Sequence, residues 1–98
     1  MTMVVAILQA RTGREEALAA ALREVAERTR EEPGALAYAV GRQEGGGRFL
    51  VTERYADRRA REAHFASSYV TDLLARFPEL LADEPQVEFT DVVTAFAR

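Results

Sequence analysis

Two runs of alternating residues, separated by Glu44-Gly45-Gly46-Gly47, fix the middle of the chain as a β-hairpin. Before the glycines, Leu36, Tyr38 and Val40 alternate with Ala35, Ala37 and Ala39. After them, Phe49, Val51, Glu53 and Tyr55 alternate with Leu50, Thr52 and Arg54. Side chains two apart on a strand share a face, so an acidic residue, Glu53, is committed to the same face as Phe49, Val51 and Tyr55. A glycine run cradles phosphate only ahead of a helix N-terminus. Between two strands it reads as a plain turn.

The flanks of the hairpin alternate strand and helix. Val4 to Gln9 is a short apolar run, the pattern of a buried strand. Thr12-Gly13-Arg14-Glu15 fits a capping box with Thr12 as N-cap and Glu15 reaching back. Leu18, Ala21, Leu22, Val25 and Thr29 then recur at helical spacing, with Glu16, Arg23, Glu24 and Glu27 left for water. Pro33-Gly34 stops this helix and turns the chain. Beyond the hairpin, Asp57 reads as the N-cap of a short helix through Ala66. Ser67-Ser68 restarts a second helical piece with Val70, Leu73, Leu74, Phe77, Leu80 and Leu81 on its apolar face, and Pro78 is expected to kink or interrupt it. After Pro85 the alternation from Val87 to Phe96 predicts a long last strand with apolar residues on both faces.

The order is strand, helix, strand, strand, helix, strand. That predicts an α+β fold, a ferredoxin-like βαββαβ antiparallel sheet with its helices on one face. The other face is left open, and a second copy of the sheet packed against it, together with the last strand, predicts a symmetric homodimer. A chain of 98 residues is one domain's worth, spanning 1–98, and at that size about a third of the surface stays exposed on folding. Stability from a partner subunit is therefore expected.

Composition narrows the chemistry. There is no cysteine, so disulfides and thiolate metal sites are excluded, and one histidine does not make a tight protein-only metal site. No metal and no cofactor are expected. All 13 basic residues are arginine, interspersed among 16 acidic residues for a net charge of −3. Without a basic stripe, nucleic acid is not the expected ligand. No apolar run reaches the length of a membrane span, and the first residues lack the pattern of a signal peptide, so a cytoplasmic protein with no membrane association is expected. The absence of lysine, asparagine and tryptophan removes Schiff-base chemistry and tryptophan stacking.

Three motifs, Glu32-Pro33-Gly34 followed by Tyr38, Phe49-x-x-x-Glu53-x-Tyr55-x-Asp57, and Ala63-His64-x-x-Ser67, together resemble the antibiotic biosynthesis monooxygenase (ABM) domain over nearly the whole chain. The resemblance implies a dimeric α+β barrel of ferredoxin-like halves. It also implies one of several activities: cofactor-independent monooxygenation in polyketide tailoring, quinol oxidation, haem degradation, or isomerisation of a phosphorylated signalling sugar. Haem-degrading members use an asparagine, a tryptophan and a ligating histidine. Here His64 falls where the tryptophan would be and the ligand position falls near Leu74, which argues against haem.

The candidate site gathers around the only histidine. His64 and Glu53 are the candidate catalytic residues: Glu53 accepting from one ring nitrogen would fix the tautomer and raise basicity. Tyr38, Tyr55, Ser67 and Phe65 are the candidate substrate contacts, with Tyr38 a donor to a developing oxyanion. Each has a plainer structural role: Glu53–His64 as a buried pair, the tyrosines and Phe65 as core, Ser67 as a cap, Arg42 and Arg54 as surface charges. The expected function is cofactor-independent oxygenation of a small aromatic quinol or polyphenol. The alternatives are a non-catalytic dimer binding a small hydrophobic molecule, and a sugar-phosphate isomerase, which would need a phosphate clamp of arginines.

Overall fold

The computed structural model describes residues 1–98. In chain order the elements are β1 (Thr2–Gln9), α1 (Glu15–Thr29), β2 (Ala35–Arg42), β3 (Arg48–Tyr55), α2 (Arg58–Ala66), α3 (Ser68–Leu80) and β4 (Gln86–Asp91). The four strands form one antiparallel sheet in the order β2-β3-β1-β4. This is the α+β, ferredoxin-like arrangement that the sequence predicts, with its second helical segment split in two at Ser67.

Register sets the core. Val4, Ala6 and Leu8 of β1 stand opposite Glu53, Val51 and Phe49 of β3, so these side chains share one face. Leu18, Leu22 and Val25 of α1 and Val70, Leu73, Phe77 and Leu80 of α3 close over them. The opposite face carries Met3, Val5, Ile7 and Leu50 and no helix lies on it. No helix is long and apolar enough to cross a membrane.

Four local expectations need correction. The Thr12 capping box does not form: α1 starts at Glu15 with Arg14 at the N-cap and no side-chain cap. Gly13, at φ +87°, carries the bend, and the Glu15 carboxylate reaches back to the Gly13 N–H at 2.8 Å rather than to Thr12. Leu36 does not share a face with Tyr38 and Val40. A β-bulge between Ala35 and Ala37 resets the phase, leaving Leu36 exposed while Tyr38 falls opposite Glu53. Pro78 does not interrupt α3, which runs on to Leu80. The residue sits in the last turn, and the Arg11 guanidinium caps its carbonyl at 2.9 and 3.1 Å.

The last strand is also shorter than its alternation suggests. It stops at Asp91, opposite Thr2 at the start of β1, and its final bond runs from the Val92 N–H to the Met1 carbonyl. Past that point β4 has no neighbour to pair with, and a strand without a ladder is not held. Val93 is 96 % exposed. Within the strand proper only the helix side is apolar (Val87, Phe89); Gln86, Glu88 and Thr90 occupy the other face.

Candidate active site

Glu53 is delivered by strand parity. Its neighbours in register, Val4 on β1 and Tyr38 on β2, place it mid-sheet under the helices. His64 is delivered by α2, which begins where Asp57 Oδ1 accepts the Ala60 N–H at 2.8 Å and crosses the end of β3. There the imidazole is 2 % exposed. The two residues meet: His64 Nε2 lies 3.3 Å from Glu53 Oε1, and the Tyr55 hydroxyl donates to the same Glu53 oxygen.

The other ring nitrogen has its own carboxylate. Nδ1 of His64 lies 2.9 Å from Glu32 Oε2. Glu32 sits in the turn between α1 and β2, pinned by its N–H to the Thr29 carbonyl at 2.9 Å. That turn comes down hard on α2. A Cβ at Gly34 would stand 2.4 Å from the Ala60 Cβ, so only glycine allows the approach that brings Glu32 to His64. The Tyr69 hydroxyl at the start of α3 donates to Glu32 Oε2 as well. The result is a continuous chain, Tyr69–Glu32–His64–Glu53–Tyr55, and no buried side-chain polar atom is left without a partner. Tyr55 and Phe65 flank the imidazole with ring centroids 5.1 Å away, Tyr38 at 6.3 Å and Tyr69 at 6.5 Å.

Beside this chain lies a narrow apolar cavity between the sheet and the helices, with about 50 Å³ of free room. Tyr38, Glu53 and His64 line its polar end; Phe65, Leu74 and Val87 are among its apolar residues, and no arginine reaches it. Leu74 and Val87 are each close to half exposed, because β4 extends beyond the cover of the helices. The cavity opens there.

The family follows from sequence and fold together. The sequence profile of the family described as antibiotic biosynthesis monooxygenase matches residues 1–76, the stretch that carries Glu32, Glu53 and His64. The chain belongs to the ABM family. Solved structures share the fold along its whole length. Rv0793 from Mycobacterium tuberculosis is 27% identical with a TM-score of 0.91, and the match covers 98% of each chain. A structure described as an antibiotic biosynthesis monooxygenase is 27% identical with a TM-score of 0.86, covering 96% of this chain and 100% of that one. NE2512 from Nitrosomonas europaea, a protein of unknown function, is 27% identical with a TM-score of 0.88, covering 99% and 93%. Among curated proteins none matches.

In this ABM domain burial raises Glu53 and the three tyrosines above their ordinary values. Desolvation pushes the Glu53 carboxyl above its ordinary 4.5, against the Tyr55 hydrogen bond and the His64 charge, which pull it down. Burial, followed by the negative charges of Glu53 and Glu32, pushes Tyr38 well above the ordinary 10.0 of a phenol. Tyr55 is raised by burial and then by its bond to Glu53, and Tyr69 by burial and then by its bond to Glu32. All three tyrosines are therefore neutral donors at physiological pH.

Of the residues that the sequence nominates, Glu53, His64, Tyr38 and Phe65 line the cavity, and Tyr55 stands behind Glu53 as its donor. Ser67 does not join them: its hydroxyl turns back to the His64 carbonyl at 2.6 Å. It occupies the N-cap position of α3 without a side-chain cap bond. Arg42 is tied to Glu16 at 2.8 Å and lines no part of the cavity. Sequence reasoning missed Glu32 and Tyr69 as site residues. A count of valences finds the gap: a buried imidazole has two nitrogens to satisfy, and Glu53 supplies one partner.

Proposed function

We propose that this ABM domain is a cofactor-independent monooxygenase acting on a small aromatic quinol or polyphenol. The observation that supports this best is the pairing of one acid–base cluster with an arginine-free apolar cavity. A phosphorylated sugar would need cations there; a reduced aromatic ring needs apolar walls and a base. The Glu53–His64 pair takes a proton from the activated O–H or C–H of the substrate, and Tyr38 donates to the phenolate oxygen. The electron-rich anion reacts with oxygen. Conversion of a ring CH₂ with O₂ to C=O and H₂O returns the borrowed proton to the departing oxygen, so the base ends as it began.

Glu32 takes the part of the triad's third group. It holds Nδ1, which leaves Nε2 and Glu53 to share the proton on the cavity side. About 50 Å³ of free room is well short of the roughly 300 Å³ of a small ligand pocket, so substrate entry requires Leu74 and Val87 to move apart at the mouth. We read residues 1–98 as one cytoplasmic domain, residues 77–98 included, because β4 pairs along β1. The same reading makes it a homodimer through the open sheet face, with Met3, Val5, Ile7 and Leu50 at the interface. The test is oxygen uptake on a panel of reduced quinones and anthrone-like phenols with ¹⁸O₂. One ¹⁸O atom in the product and one in water is expected; binding without uptake on any compound would favour a non-catalytic binder.

A further inference from the structure

The ring of His64 separates two spaces. On its Nε2 side is the apolar cavity with Glu53. On its Nδ1 side is Glu32, whose side chain is 19 % exposed and lines a separate groove of about 340 Å³ on the outer surface, with Pro33, Asp57, Arg59, Ala63 and Tyr69. The imidazole itself has almost no contact with water. A buried ring that changes protonation must exchange protons with solvent by some route, and the two sides offer unequal ones. The cavity side is walled by apolar groups and is filled whenever substrate is bound. The outer side carries an ionisable carboxylate within hydrogen-bond distance of the ring and open to water.

We propose that Glu32, held in place by Tyr69, is the proton gate of the site: the His64 imidazole exchanges its protons with solvent at Nδ1, through Glu32 and the outer groove, and not through the cavity. In each exchange the Nδ1–H bond breaks as an O–H bond forms on Glu32 Oε2, and Glu32 loses that proton to groove water; the reverse path reloads the ring. Tyr69 fixes the carboxylate, and the Arg28 guanidinium, 4.8 Å from the Tyr69 ring centroid, covers that ring from outside. Asp57 and Arg59 are the other charged groups on the groove. The gate lets the cavity stay dry and occupied while the base on its wall still comes to equilibrium with the medium. Its relevance to turnover rests on the reading of Glu53–His64 as the base; the exchange route itself does not.

One histidine per chain makes the test direct. With ¹⁵N-histidine labelling of the full, substrate-free protein, one imidazole is observed, and the exchange rate of its Nδ1 proton with water is measured by NMR. Glu32→Gln keeps a hydrogen-bond acceptor but cannot carry a proton. It is expected to slow exchange by about ten-fold or more, whereas Leu74→Trp, which fills the cavity mouth, leaves the rate unchanged. Ala63→Leu, an exposed change that crowds the groove, gives the same slowing if Glu32→Gln does not fold. An unchanged or faster rate in the groove variants, or slowing by Leu74→Trp, overturns the proposal. Because no substrate is present, failure of the oxygenase reading would leave this result standing, and the reverse also holds.

Discussion

Glu32 Oε2 stands 2.9 Å from His64 Nδ1, and the partner nitrogen of the same ring faces Glu53 at 3.3 Å. One imidazole thus separates two carboxylates. Removing it by His64→Ala leaves both facing an emptied site with no ring nitrogen between them. Leaving buried polar groups without their partner costs about 1–3 kcal/mol each, and urea denaturation at neutral pH should show a loss of that order. The deficit should shrink at about pH 4, where carboxylates begin to protonate. A loss below about 1 kcal/mol would mean that the ring does not hold the two carboxylates in place.

Burial raises the Glu53 carboxyl above 4.5, which has a consequence for pH. The folded state holds this proton more tightly than the unfolded chain does. Ionising Glu53 therefore costs stability, and its contribution falls as pH rises from the unfolded value through the folded one. Glu53→Gln removes that cost. Relative to wild type it should gain stability as pH climbs from about 4 to 7, read as the difference between two series of urea midpoints. A wild type that gains on the variant over the same range would show that the ion pair with His64 outweighs desolvation.

Much of the cluster is legible from sequence, for a simple reason. Glu53, Tyr55 and Phe49 share a face by two-residue periodicity, and a helix capped at Asp57 has to bring His64 over that face. Glu32 is not legible in the same way. It lies in a turn beside Pro33-Gly34, where a glutamate ordinarily reads as solvated, and it reaches His64 only because Gly34 lets the turn settle onto Ala60. The overlong last strand has the opposite cause. The alternation continues to Phe96, but pairing depends on a neighbour, and β1 supplies none past Thr2. Periodicity reports what a segment can bury, not what stands beside it.

All three tyrosines of the chain are held protonated by burial and by neighbouring carboxylates. At about pH 10, where a free phenol is half ionised, the folded protein should show little phenolate absorbance, and the urea-unfolded protein about half of the full signal. The raised folded values also mean that stability is retained below pH 10 and lost as pH rises beyond it. Half-ionisation of the folded protein at pH 10 would place at least some of these hydroxyls in water.

The uncovered sheet face predicts assembly. Val5 lies on β1, with β3 and β4 on either side, and faces away from the helices. If two such faces pack together, Val5→Glu buries a charge with no partner and should convert a dimer to monomer in sedimentation experiments while the far-ultraviolet dichroism is retained. A wild type that sediments as a monomer at micromolar concentration would contradict this assembly.

The most direct test of the account is oxygen consumption by wild type and by folded His64→Gln and Glu53→Gln variants, on whichever quinol the panel identifies, with chelator present. Wild type should consume one O₂ per substrate oxidised, and each variant should lose about 100-fold or more in kcat, the usual scale for a positioned acid–base group. Oxygen uptake undiminished in His64→Gln would contradict the assignment of the Glu53–His64 pair as the base.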